Sequence, residues 1–216
     1  MEDVLDLYER AYDPRQPVVC FDERPCQLLG DLKEPIPMKP GSAKKVDYHY
    51  KRNGTCSALV ACEPLRGWRK VVPSEQRTKR DYAQFMKELV ERDYPQAEKI
   101  IVVQDNLNTH TPGAFYENFD AERARRLARK LEFHFTPKKA SWLNMAEVEI
   151  SALSKQCLDR RIGSREELDR EIARWVEYRN RQRAKIEWRF TTIQARAKLS
   201  RHYDATRNYA VGVLGP

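Results

Sequence analysis

Apolar and polar positions along the chain follow two different periods. Pro17-Val18-Val19-Cys20-Phe21 and Lys99-Ile100-Ile101-Val102-Val103 are nearly continuous apolar runs. Runs of this length without polar alternation predict strands buried on both faces. Each stops at an acid, Asp22-Glu23 in the first case and Gln104-Asp105 in the second. Residues 24–45 hold Pro25, Pro35, Pro37 and Pro40 before Gly41-Ser42, which predicts a loop with at most an edge segment. Val46–Arg52 and Thr55–Cys62 then flank Asn53-Gly54, the strongest local hairpin signal, since both turn residues tolerate positive φ. A third strand over Gly67 to Pro73 would complete an antiparallel meander.

The period then changes. Thr78-x-x-Asp81 opens a helix whose apolar stripe is Tyr82, Phe85, Met86, Leu89 and Val90. Asp120 is placed to cap a helix carrying Ala121, Ala124, Leu127, Ala128 and Leu131 on one face. Leu131–Phe135 predicts a short strand closed by Thr136-Pro137, and Asn144-x-x-Glu147 opens the next helix. Ser164-x-x-Glu167 caps a further helix that sets Leu168, Ile172, Trp175, Val176 and Arg179 on one side. Beyond Arg183 the chain is basic, partly helical, and ends in a tail of small residues. A meander followed by alternating helices and strands means a mixed sheet with helices against its faces, which excludes a bundle, an all-β sandwich and a full barrel.

Composition narrows the function classes. The 216 residues are 41% hydrophobic, enough for a core, and no apolar run is long enough for a membrane-spanning helix. The acidic, mixed start lacks the basic and apolar regions of a secretory signal. Forty Lys plus Arg against 32 Asp plus Glu leaves +8, with a pI near 9.2, a balance suited to a polyanionic partner such as DNA or RNA. The five cysteines form no Cys-x-x-Cys pair and read as reduced residues of an intracellular chain, with Cys20, Cys56 and Cys62 in the core. Four scattered histidines make a zinc site a poor fit. The glycine-rich phosphate cradles of dinucleotide and P-loop folds and the Gly-x-Ser-x-Gly elbow are missing from the sequence.

Asp22 and Asp105 are the informative residues, each standing where a buried strand is expected to meet its loop. In α/β folds ligands gather outside the carboxyl ends of strands, and two such strands side by side would bring both carboxylates to one point. Held close they repel, unless a cation lies between them. Mg²⁺ suits oxygen ligands, and a third carboxylate would allow the two-metal clamp of phosphodiester chemistry. An acid at a strand end also serves simply to cap a turn. Glu147 and Glu149 compete for the third place, being about 200° apart on a helix. Ile150, Leu153 and Cys157 mark a core face with Glu147 at its rim and Glu149 largely away from it, which favours Glu147. A capping box of Asn144 with Glu147 is the structural rival.

Phe21-Asp22-Glu23, Val103-Gln104-Asp105-Asn106-Leu107-Asn108-Thr109-His110 and Phe133 through Glu147, with its Ser141-Trp142-Leu143-Asn144-Met145-Ala146-Glu147 ending, closely resemble the catalytic half of DDE transposases. The match is to the bacterial insertion-sequence branch of the Tc/mariner superfamily and runs from about residue 1 to residue 203. The resemblance implies an α/β, RNase H-like fold: a mixed five-stranded sheet flanked by helices. It identifies Asp22, Asp105 and Glu147 as catalytic and metal-binding, with Mg²⁺, or Mn²⁺ as substitute, bound as two ions. Double-stranded DNA is the implied partner, as inverted-repeat transposon ends and as a TA-containing target. Asn106, Asn108, His110 and Asn144 would support the site by orienting ligands or fixing the loop. Lys138, Lys139, Trp142, Arg160 and Arg161 are the candidate DNA contacts, although a tryptophan before a helix is more often a core anchor, and Arg160-Arg161 could satisfy terminal carbonyls.

Read this way, residues 1–16 are an N-terminal lead-in, 17–183 the RNase H-like DDE catalytic domain and 184–216 a basic C-terminal extension. Relatives carry helix-turn-helix domains ahead of the catalytic half, and residues 1–16 cannot supply them, so a separate helix-turn-helix polypeptide is the expected partner. Pairing two DNA ends would call for a homodimer, though no heptad marks an interface. No membrane is involved, and the expected location is the bacterial cytoplasm, on nucleoid DNA. Two departures stand out: Gln104 takes a position usually apolar in such strands, and Ala140 replaces a frequent glycine. A truncated, inactive DNA-binding remnant and an RNase H-like nuclease without strand transfer are the alternative readings.

Overall fold

A computed structural model describes residues 1–43 and 45–200. Five strands form one mixed sheet in the order β3-β2-β1-β4-β5. The strands are β1 (Val18–Asp31), β2 (Tyr50–Glu63), β3 (Trp68–Ser74), β4 (Ile100–Gln104) and β5 (Leu131–Phe135). β1, β2 and β3 make the antiparallel meander, whereas β4 and β5 run parallel to β1. The helices are α1 (Glu2–Tyr8), α2 (Lys79–Glu88), α3 (Gly113–Asn118), α4 (Ala121–Lys130), α5 (Ala146–Gln156), α6 (Arg165–Arg181) and α7 (Thr192–Lys198). Among the described residues no helix is long and apolar enough to cross a membrane.

Strand alternation divides the interior. Val19, Phe21, Leu59, Ala61, Ile100 and Val102 face α2, α3 and α4, meeting Tyr82, Phe85, Met86, Phe115 and Leu127. On the other face Ala58 and Val60 meet Ile150, Leu153, Leu168, Ile172 and Trp175 of α5 and α6. Cys20, Cys62, Ile101 and Val103 meet Val4 and Leu7, so α1 is packed into the core rather than simply leading to it. Helix starts follow the sequence signals: Thr78 and Asp81 form a reciprocal capping box, and Asp120 and Ser164 accept from the backbone of Arg123 and Glu167. α2 continues as a π-helical turn, Leu89–Asp93, which the stripe alone does not reveal.

The sequence expectation fails in one region. β1 does not stop at Asp22 but runs through Pro25 to Asp31, so residues 24–31 are strand rather than loop. A proline is tolerated there because β4 covers only Val18–Cys20, leaving that edge of β1 open. Asn53-Gly54 is not a hairpin turn either. It lies within β2, where Leu28 pairs with Gly54 but Leu29 pairs with Arg52, so Asn53 is the extra residue of a β-bulge. Gly54 has φ +124°, and Asn53 Nδ2 donates to the Gly163 carbonyl at 2.7 Å. The positive φ read as a turn serves a bulge equally well. The true connection is the 32–49 excursion, bridged at Ile36–Lys45 and Lys39–Ser42.

Gly67, between β2 and β3, has φ +69°, and a Cβ there would stand 2.5 Å from the Arg183 carbonyl carbon. Gly67→Ala is therefore expected to destabilise the chain by at least about 1 kcal/mol, read from urea unfolding midpoints. An unchanged midpoint would mean that the 183–184 backbone can give way.

Candidate active site

β1 and β4 set the first two carboxylates. Their parallel register pairs Val18 with Ile101 and Cys20 with Val103, so two residues further on Asp22 comes level with Asp105. Asp22 thus lies within β1 at the point where β4 has ended, not at a strand end. On the same side stands Asn144, buried just before α5. Its Nδ2 donates to the Phe21 carbonyl at 2.8 Å and to Asp22 Oδ2 at 3.3 Å, while its Oδ1 accepts from the Ala146 backbone at 3.1 Å. The capping box of Asn144 with Glu147 is not formed: Met145 stands at the N-cap of α5 and offers no side-chain cap. Glu147 is left half-buried, near enough for its charge to act on Asp22.

Glu149 corrects the helix-face reading. It is fully buried, not turned away from the interior. Arg179 grips it with Nη2 at 3.0 and 3.2 Å from its two oxygens and Nε at 3.1 Å. Arg69 Nε lies 3.1 Å from Oε1, an ion pair off the angle of a hydrogen bond. Arg69 is itself fully buried and donates to the carbonyls of Gly67 and Ala184. Locking Glu149 between β3 and α6 turns Glu147, about 200° round the helix, toward Asp22.

The electrostatics record the crowding. Burial, then the nearby charges of Glu147 and Asp105, push the Asp22 carboxyl up to about 6 from 3.8. Among the described residues no three acid, histidine or cysteine side chains stand in a ready metal-ligating arrangement. The three carboxylates are near enough to repel but are not closed around a common point. Their all-oxygen chemistry fits Mg²⁺ or Mn²⁺, and a cation would relieve the repulsion.

A stability measurement follows with a definite sign. Because the folded-state value of Asp22 is raised, its ionised form weakens the metal-free fold above pH 6, and this penalty fades as pH falls toward 4. Asp22→Asn should therefore unfold at higher urea than the parent at pH 7, the difference vanishing near pH 4. Equal midpoints at pH 7 would contradict a raised Asp22 carboxyl.

His110, on the loop after β4, is fully buried. Its Nδ1 lies 2.7 Å from Asp105 Oδ1 and its Nε2 3.1 Å from Glu23 Oε1. Burial alone would lower its basicity, but the hydrogen bonds to Asp105 and Glu23 outweigh it and raise the ring to about 9. Glu23 was missed in the sequence, because it lies beside Asp22 in a strand that alternates and only the fold joins it to a residue 87 positions away. Gln104 does not weaken packing: its Oε1 accepts from Tyr82 at 2.9 Å and its Nε2 donates to the His110 carbonyl at 3.0 Å. Ala140, with φ −125°, sits where glycine is not required.

The other predicted residues are spread out. Asn106, Asn108, Lys138 and Lys139 are exposed on the loops after β4 and β5. Trp142 is not a core anchor: it is 46% exposed, stacked on Trp188 with centroids 6.3 Å apart. Arg160 is paired with Glu171. Arg161 lies 2.7 Å from Asp31 and donates to the carbonyls of Tyr48 and His49 at 3.1 Å. Asp31 is nine residues beyond Asp22 on β1, about 30 Å at strand rise, so Arg161 anchors the 32–49 excursion rather than joining the triad. Of the basic residues beyond 184, Arg189 pairs with Glu187 and Arg196 with Glu2. Arg201, Arg207 and the small-residue tail lie outside the described residues.

Residues 17–169, more than half of the chain, match the family model of the DDE superfamily endonucleases. The chain belongs to the DDE superfamily endonucleases. Among solved structures it is similar to the Mos1 mariner paired-end complex with Mn, at 17% identity and a TM-score of 0.55, covering 85% of this chain and 54% of that one. The Mos1 transposase paired-end complex with left transposon end gives 18% identity and 0.54, covering 86% and 53%. The catalytic domain of Mos1 mariner transposase gives 12% and 0.51, covering 85% and 87%. This DDE chain therefore has the RNase H-like fold of that catalytic domain, and it spans about half the length of the two paired-end transposases. No curated protein matches it.

Proposed function

We propose that this chain is a transposase catalytic domain that cleaves DNA at transposon ends and joins the freed 3′ end to a target, in the bacterial insertion-sequence branch of the Tc/mariner group. One observation carries the reading: the β1–β4 register brings Asp22 level with Asp105, the residue just past the end of β4, with Glu147 close enough to raise the Asp22 carboxyl. In this reading Asp22, Asp105 and Glu147 would hold Mg²⁺ or Mn²⁺. Two such ions bound there would activate the attacking oxygen and stabilise the leaving one. Asn144 fixes the Asp22 carboxylate while leaving its charge available. His110 does the same for Asp105 and is not a general base, since both ring nitrogens face carboxylates. No side chain is needed as a covalent nucleophile.

The substrate is double-stranded DNA with inverted-repeat ends, and Lys138, Lys139 and Trp142 flank the site as its backbone and base contacts. Arg160 and Arg161 would have to leave their carboxylate partners to reach phosphate. Recognition of the ends is assigned to helix-turn-helix units outside residues 17–183, with two copies pairing two ends. Such a protein works in the bacterial cytoplasm, on the nucleoid.

The test is a cleavage and strand-transfer assay with Mg²⁺ and Mn²⁺ on pre-nicked DNA bearing the flanking inverted repeats. Metal-dependent cleavage with joined product is expected. Cleavage without joining would make the chain a nuclease of this fold, and salt-sensitive binding without either would make it a remnant.

A further inference from the structure

The interior behind Asp105 holds a run of polar contacts that core packing does not require. The His110 ring stacks on Tyr82 with centroids 4.8 Å apart and meets the edge of Phe21 at 5.2 Å. Its backbone carbonyl is held by Gln104, which is held in turn by the Tyr82 hydroxyl. Plane and position of the ring are therefore both fixed, with one nitrogen toward Asp105 and the other toward Glu23. Glu23 is buried too, its side chain 6% exposed, and its second oxygen lies 3.9 Å from Arg77 Nε.

Strand geometry gives this run a purpose. Asp22 points to the α5 side of the sheet and Glu23 to the α2 side, because alternate residues of β1 face opposite ways. The Glu23 backbone N–H donates to Asp22 Oδ1 at 2.7 Å. The same residue thus contacts Asp22 directly and reaches Asp105 through His110, tying together two carboxylates that repel each other. A Glu–His pair shut away from solvent and bonded to a half-exposed Asp105 is costly to desolvate, and apolar side chains would fill the space more cheaply. Carboxylates that ligate metals are commonly oriented by such outer partners.

We propose that Glu23 is a positioning residue for Asp105, acting through His110, which takes Asp105 Oδ1 and leaves the other oxygen for a cation. This rests on the transposase reading of the triad. Glu23 touches neither DNA nor the reacting phosphate; it sets the direction from which Asp105 meets the ion.

Mn²⁺ binding to the full chain without DNA tests this, with free Mn²⁺ followed by electron paramagnetic resonance in the parent, Glu23→Gln and Asp105→Asn. Glu23→Gln keeps the size and removes the carboxylate. It should bind Mn²⁺ about ten- to a hundredfold more weakly while still unfolding cooperatively in urea. Parent-like affinity in Glu23→Gln, with affinity lost in Asp105→Asn, would overturn the inference and leave the functional reading standing. No Mn²⁺ bound by the parent would sink that reading, and the inference with it. Nitrogen-15 spectra of the parent avoid any folding defect of the variant. The two His110 ring signals should shift in step with Mg²⁺ occupancy, and a ring indifferent to bound Mg²⁺ would overturn the proposal.

Discussion

Asp105→Ala is expected to reduce metal-dependent cleavage by more than about a thousandfold, roughly 4 kcal/mol of transition-state stabilisation. On the proposed reading the chemistry asks no covalent step of the protein, so nearly all of its contribution would lie in holding cations against the charge growing at phosphorus. Asp105 stands opposite Asp22 in the β1–β4 register, and removing it would leave the site with one strand-borne carboxylate. Folding should survive the change, because the Asp105 side chain is 36% exposed and outside the apolar clusters. His110 would keep Glu23 as a partner. Rates measured on pre-nicked DNA in saturating Mn²⁺ decide the matter. A loss under tenfold would remove Asp105 from the catalytic machinery.

Glu149→Ala should cost about 3–5 kcal/mol of folding stability, the largest single effect expected away from the triad. The reason is electrostatic rather than steric. The mutation strands Arg69, which is fully buried, and Arg179, whose three contacts to Glu149 lie between 3.0 and 3.2 Å. Removing one partner of a buried ion group leaves uncompensated charge, which costs far more than the intact group contributes. α5 would also lose the contact that fixes its rotation, so cleavage should fall along with the urea midpoint. A change below about 1 kcal/mol would show that the carbonyls of Gly67 and Ala184 suffice for Arg69.

Glu147 and Glu149 mark how far the sequence could be read. Where structure is set locally it was legible. Thr78, Asp120 and Ser164 announce their helices within four residues, and the strands at Ile100–Gln104 and Leu131–Phe135 fall as expected. The extent of β1 was not legible, since Pro25 is acceptable only because β4 ends at its pairing with Cys20. Nor was the bulge at Asn53, whose identity depends on the register with Leu28 and Leu29.

The site divides along the same line. Asp22, Asp105 and Glu147 were candidates from their positions in buried strands and on a helix rim. Glu149 misled because its burial depends on Arg69 and Arg179, brought in by β3 and α6. The capping signature at Asn144 and Glu147 misled in the opposite way. Tertiary contacts to Phe21 and Asp22 take the Asn144 amide, and with it Glu147 is released toward the aspartates.

On the proposed reading Asp22, Asp105 and Glu147 together hold divalent metal. Crystals of the chain grown with Mn²⁺, and data collected at the manganese edge, test it most directly. The account predicts an anomalous peak within ligand distance, about 2.0–2.3 Å, of Asp22 and Asp105 carboxylate oxygens, with Glu147 swung in to complete the shell. Manganese bound elsewhere, with the three carboxylates still apart, would contradict it.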